Sequence, residues 1–189
     1  MDLLNKETQK KLERYKFWKL SEKVIFESLS DIYRWPFCYT SGQPTIEVIG
    51  IDRRFLFTGD GYVNEKVVKN YYDRGYTLII SRIQFLTEEL RKYFHIVQKD
   101  NPNILISMNI YMSKGKKEVS FPLHNHDYDV IVKNIKGSST WIKGNEKVIL
   151  KNQNILYLPK YTNHQVIEIQ KPKLSITCNF ENSTYMLKK

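Results

Sequence analysis

The chain has 189 residues, 41% of them hydrophobic and 13% aromatic, which is enough apolar side chain for one packed domain and too much for a disordered polymer. No apolar run approaches the ~20 residues that span a bilayer, and the opening Met1-Asp2-Leu3-Leu4-Asn5-Lys6 lacks the apolar stretch of a signal peptide, so a cytoplasmic protein with no membrane partner is expected. The net charge of +10 favours an acidic partner, yet the lysines are scattered, with Lys114, Lys116 and Lys117 as the densest group, which weighs against nucleic acid.

In chain order, residues 2–30 carry Leu3, Leu4, Leu12, Tyr15, Trp18 and Leu20 at helical spacing, and Ser21-Glu22-Lys23-Val24 supplies a cap for a second helix. Trp35-Pro36 ends that region and residues 40–44 form a loop by composition. Short β elements are expected over residues 45–57, a helix over 64–72 and a strand over 75–80. Thr87-Glu88-Glu89-Leu90 opens a helix whose Leu90, Tyr93, Phe94 and Val97 share a face, and Asn101-Pro102-Asn103 stops it.

From Ile104 onward the pattern is β. Runs at 104–113, 128–135, 140–142, 147–150, 155–158, 165–169 and 174–179 are parted by Lys114-Gly115-Lys116, Lys136-Gly137-Ser138, Gly144-Asn145 and Lys171-Pro172-Lys173. Many short strands with Gly, Asn and Pro turns predict a mostly β sandwich or barrel with helices packed outside it. Cys38 and Cys178 lie far apart and outside any C-x-x-C pattern, so they read as buried thiols rather than as a disulfide or zinc ligands.

Three of the four histidines fall in two short pieces of this half. His124 and His126 are spaced i, i+2, which on a strand turns both imidazoles to one face, and His164 opens another strand after a proline turn. If those strands are neighbours, the three rings converge on one point and leave coordination positions open for water, substrate or dioxygen. The competing reading is an exposed pair and an unrelated turn histidine. His95, on the capped helix, reads as structural.

The run His124-x-His126-Asp127-x-Asp129-Val130 with Asn134, Gly137 and Trp141, followed by Leu156-Tyr157-Leu158-Pro159 and His164, resembles the double-stranded β-helix of the cupin superfamily. It is most similar to the JmjC branch of Fe(II)- and 2-oxoglutarate-dependent oxygenases. Asn109-Ile110-Tyr111 and Gly75-Tyr76-Thr77-Leu78 extend the resemblance over residues 75–180. It implies a single domain over residues 1–189, with 1–74 as a helical and β cover and 75–180 as the jelly-roll barrel. It further implies Fe(II) held by His124, His126 and His164, dioxygen as co-substrate, and a peptide, protein side chain or amino-acid-derived small molecule as substrate. Tyr111, Asn134 and Ser139 become the hydrogen-bonding residues for a co-substrate, and related proteins often form homodimers.

Two positions depart from that family. His126 stands where a carboxylate completes the family's ligand set, as in three-histidine cupins that do not use 2-oxoglutarate. Ser139 stands two residues before Trp141, where the family carries a cation for the distal carboxylate of 2-oxoglutarate; Lys133, Lys143 and Arg82 are the candidate replacements. Three functions therefore stay open: a 2-oxoglutarate-dependent oxygenase, a three-histidine dioxygenase, and a cupin that binds metal without turnover. Trp141 reads as core, and Asp127 and Asp129 as turn or supporting residues.

Overall fold

The computed structural model describes residues 5–29, 46–49, 54–55, 65–114 and 121–181. The expectations for Trp35-Pro36, Cys38, the 40–44 loop, Lys116 and Lys117 lie outside these residues. Among these residues four α-helices, α1 (Lys6–Arg14), α2 (Glu22–Leu29), α3 (Glu65–Asp73) and α4 (Glu88–Lys99), accompany eight strands: β1 (Ile46–Ile49), β2 (Arg54–Phe55), β3 (Thr77–Ser81), β4 (Leu105–Ser113), β5 (Asp129–Lys143), β6 (Glu146–Leu150), β7 (Ile155–Leu158) and β8 (His164–Glu181). Among the described residues no helix is long and apolar enough to cross a membrane.

The helices begin where the sequence supplies acceptors. Asn5 takes the N–H of Thr8 to open α1, and Thr87 takes the N–H of Leu90 to open α4. Between α1 and α2 the backbone N–H groups of Trp18, Lys19 and Leu20 all donate to the carboxylate of Glu89, which fastens this turn to the first turn of α4. Trp18 consequently points outward and is 85% exposed, against the helical spacing that placed it with the apolar residues.

All strand pairs are antiparallel, in the order β2-β1-β3-β4-β8-β5-β6, with β7 added to the free side of β5. The mostly β, jelly-roll architecture with flanking helices is thus as expected, but two pairs of expected strands are each one bent strand. β5 absorbs the break at Gly137, and β8 the break at Pro172. The two bends nest: Gly137 has φ 76°, and a Cβ there would lie 2.3 Å from the Pro172 carbonyl oxygen and 2.8 Å from that of Gln170. Only a residue without a side chain allows this approach.

Because both strands bend together, their two halves fold over one another. Val130 and Val132 from the first half of β5, Trp141 from its second half, Leu150 from β6, and Leu156 and Leu158 from β7 form a single apolar cluster. The opposite faces carry the larger core: Met108 and Ile110 on β4, Ile131 on β5, and Ile176 and Cys178 on β8 pack against Leu12, Tyr72, Leu90, Tyr93 and Val97 of the helices. Lys133, fully buried on this helical face, donates to the carbonyls of Leu12, Glu13 and Gln153 at 2.6–3.3 Å, placing a cation on the last turn of α1.

Candidate metal centre

His124 lies in a short extended segment that pairs with the start of β8. His164 donates its backbone N–H to the His124 carbonyl at 2.8 Å, and His124 donates to the His164 carbonyl at 3.2 Å. Two residues on, the His126 carbonyl accepts from Tyr161 N–H, and Asn125 donates to Asn163 Oδ1 at 2.8 Å. Tyr161 holds φ 61°, a left-handed backbone costly for a residue with a side chain and maintained here by the surrounding bonds. The two histidine pieces are therefore stitched together before any ligand arrives.

One nitrogen from each of His124, His126 and His164 lies within 4.8 Å of the others. The ring centroids are 4.4–5.1 Å apart. His124 Nδ1 meets the Pro122 carbonyl at 2.7 Å and His164 Nδ1 meets the Thr162 carbonyl at 2.8 Å. A carbonyl can only accept, so each of these Nδ1 atoms carries the proton, and each Nε2 keeps its lone pair for a metal. His126 stacks on Tyr128 with the ring centroids 4.8 Å apart and the planes 7° from parallel.

Burial, and then the neighbouring His124 and His164, lower the His126 pKa to about 4. Burial also lowers that of His164. Both rings are thus held neutral, the form that coordinates metal. These residues fit a divalent transition metal: imidazole nitrogens suit iron, zinc, nickel and copper, and three of them leave positions open. Among the described residues no fourth carboxylate or thiol joins the group.

The remaining sequence candidates divide. Trp141 is 7% exposed, and its ring centroid is 6.4 Å from that of His164. Its indole N–H donates to Ser139 Oγ at 2.8 Å, so Ser139 orients the tryptophan. Asn134 donates to the Gly137 carbonyl and braces the bend of β5, while its Oδ1 is buried without a partner. Tyr111 lies opposite Ser175 in the β4–β8 ladder. Asp129 accepts from Tyr157 OH and Lys160 N–H, a bracing role at the rim that agrees with its expected supporting one. Of the replacement cations, Lys133 is committed to three carbonyls on the far face of β5, because the alternation along β5 turns it to the helices.

The residue the sequence reading missed is Lys173. It is 5% exposed, and its Nζ lies 5.2 Å over the Trp141 ring. Burial alone lowers its pKa to about 8. Its signal was the alternation of β8: Leu174, Ile176, Cys178 and Phe180 face the helices, so Lys173, Ser175, Thr177 and Asn179 face the barrel interior. The ladder agrees, pairing Val130 with Asn179, Val132 with Thr177 and Asn134 with Ser175. Lys171-Pro172-Lys173 looked like a surface turn because a bend inside a strand and a turn between strands use the same residues.

No protein-family profile and no curated relative matches the chain. Among solved structures it is similar to the EutQ protein of Clostridium difficile, at 17% identity over 57% of this chain and 71% of that one with a TM-score of 0.38. An RmlC-like cupin from Shewanella frigidimarina is similar at 10% identity over 43% and 71%, TM-score 0.36. A salicylate 1,2-dioxygenase from Pseudaminobacter salicylatoxidans is similar at 7% identity over 43% and 22%, TM-score 0.37. The barrel stands on its own strand pairing, independently of these low scores.

Proposed function

We propose that this chain is a metal-dependent oxygenase of the cupin type, closest in its site to the JmjC-like oxygenases, with Fe(II) held by His124, His126 and His164. The observation that carries this is the convergence of three imidazole nitrogens within 4.8 Å, with two of the rings fixed by Nδ1–H bonds to backbone carbonyls. Fe(II) bound there would supply activation of dioxygen for oxidation of a C–H bond. The chain's own residues bind and orient. The cross-strand bonds of His124 and His164 fix the ligand angle, Tyr128 braces His126, and the apolar wall of Val130, Val132, Trp141 and Leu158 keeps water from the reacting groups. The substrate is a peptide side chain or an amino-acid-derived small molecule entering beside the exposed Leu123 and Tyr161.

A second reading rests on one specific observation: the ligand set is three histidines, and among the described residues no carboxylate joins it. It is a dioxygenase whose substrate chelates the metal directly, without 2-oxoglutarate. Anaerobic loading with Fe(II) followed by oxygen-uptake measurement tests the common core of both readings. Iron-dependent uptake that is lost in His124→Ala supports an oxygenase; stoichiometric iron with no uptake under any keto acid or thiol tried leaves a metal-binding protein without turnover. Succinate formed in step with oxygen uptake selects the 2-oxoglutarate reading.

A further inference from the structure

The turn between α1 and α2 holds the most exposed aromatic side chain of the described residues, and its backbone is fixed. The N–H groups of Trp18, Lys19 and Leu20 donate to the Glu89 carboxylate at 2.8–3.0 Å. Phe17 and Leu20 on either side are buried, and the Phe17 ring packs at 5.0 Å on Tyr15 and 5.2 Å on Tyr93. Trp18 is turned out between them and is 85% exposed. Single exposed apolar residues are ordinary on protein surfaces. An indole carried outward on a backbone clamped by a carboxylate and two buried neighbours is a standing platform.

The surroundings are cationic. Between residues 10 and 23 the chain carries six Lys and Arg against two Glu. Lys11 and Lys23 are taken by Glu7 and Glu27, whereas Arg14, Lys16 and Lys19 are exposed and form no ion pair among the described residues. The fold adds a cation from far along the chain. Lys133 bonds the Glu13 carbonyl at 3.3 Å and the Gln153 carbonyl at 2.6 Å, which sets the turn carrying the exposed Lys151 against the end of α1. Lysines that are scattered in the sequence thus gather on the helical side of β5, whose other face lines the barrel.

This combination selects its partner. Cations attract any anionic surface, and the isolated indole decides among them. A membrane anchor needs an apolar face several side chains wide, and no other apolar side chain of this turn is exposed. A nucleic-acid base needs only one π-face, with cations in reach of the neighbouring phosphates. We propose that Trp18 is a stacking platform for single-stranded nucleic acid, its indole taking a base and Arg14, Lys16, Lys19 and Lys151 taking the phosphates. The surface is separate from the metal centre, so either assignment stands or falls without the other.

Fluorescence anisotropy of a labelled oligothymidylate at low salt tests this on the full chain, with a duplex of the same length as control. The native protein is expected to prefer the single strand, with an affinity that falls steeply as salt rises. Trp18→Ala is expected to weaken single-strand binding about ten-fold and to abolish the preference, while Trp18→Phe keeps it. Because Trp18 is exposed, both variants should have the native melting temperature. Lys16→Gln combined with Lys19→Gln should weaken binding of both nucleic acids and flatten the salt dependence. No binding, a preference for the duplex, or binding unchanged in Trp18→Ala overturns the platform. So does Trp18-dependent sedimentation with phosphatidylglycerol vesicles by a protein that leaves the oligonucleotide unbound, which assigns this face to a membrane instead.

Discussion

His124 and His164 exchange backbone hydrogen bonds, at 2.8 and 3.2 Å, and their ring centroids lie 4.4 Å apart. The contact that joins the two strand pieces is therefore also the contact that builds the ligand set. Since these bonds involve only backbone, replacing either side chain should spare the fold. His124→Ala and His164→Ala should each weaken Ni(II) or Fe(II) binding by at least about 10²-fold, with a melting temperature within a few degrees of native for the metal-free proteins. Equilibrium dialysis alongside a thermal melt checks both halves of this statement.

The nested bends make Gly137 the least replaceable residue of the barrel. Gly137→Ala forces a side chain into a φ of 76° and onto the Pro172 carbonyl, 2.3 Å from the new Cβ. Destabilisation of about 2–4 kcal/mol is expected in urea titration. Metal affinity should fall with it, because the same bend carries Ser139 and Trp141 into the interior.

Two buried lysines should respond in opposite directions to the same substitution. Lys133 satisfies three carbonyls and closes α1 onto β5, so Lys133→Met leaves those carbonyls buried and unpaired and should cost about 2–4 kcal/mol. Lys173 is desolvated, with its ammonium over the Trp141 ring, so Lys173→Met should stabilise the protein at neutral pH by up to about 3 kcal/mol. A residue that costs stability and lines the site is where function is expected to outweigh the fold. Parallel urea titrations at pH 7 distinguish the pair.

The sign of the pH dependence follows from the same burial. Lys173 has a folded pKa lowered from 10.5 to about 8, so between about pH 8 and 10.5 the unfolded chain holds the proton that the folded chain has released. Stability from this residue rises with pH across that window and is lost as pH falls through 8. The advantage of Lys173→Met over the native protein should therefore be full below pH 8 and shrink towards zero by pH 10.5. An advantage that stays constant from pH 7 to 10 would show that Lys173 is not desolvated.

His126 behaves likewise at acid pH. Its pKa, lowered from 6.5 to about 4, makes the unfolded chain the better proton acceptor between those values, so the metal-free protein should lose stability as pH drops from 6.5 to 4. His126→Phe should flatten that part of the profile, which urea midpoints at pH 7, 5.5 and 4.5 measure.

Much of this was legible in the sequence because it depends on local periodicity. The cap at Thr87, the even-numbered apolar residues of β4 and β8, and the i, i+2 pair of His124 and His126 are patterns of two or three residues whose physics is local. What stayed hidden depends on distant partners. Gly137 and Pro172 read as two separate turns until their mutual approach makes them one bend. Lys133 and Lys173 are both lysines in β-type sequence, and only the face each strand presents separates a helix clamp from a cation inside the barrel. Trp18 was misplaced because the Glu89 carboxylate, 71 residues away, takes the backbone that a longer helix would have used.

The most direct test of the central claim is X-ray absorption at the metal edge of protein loaded anaerobically with Fe(II), with metal counted per chain. One iron per chain with three imidazole nitrogens in its scattering, and loss of that signal in His164→Ala, is the predicted result. Substoichiometric iron, or a scattering shell unchanged when His124, His126 and His164 are all replaced by alanine, would contradict the account.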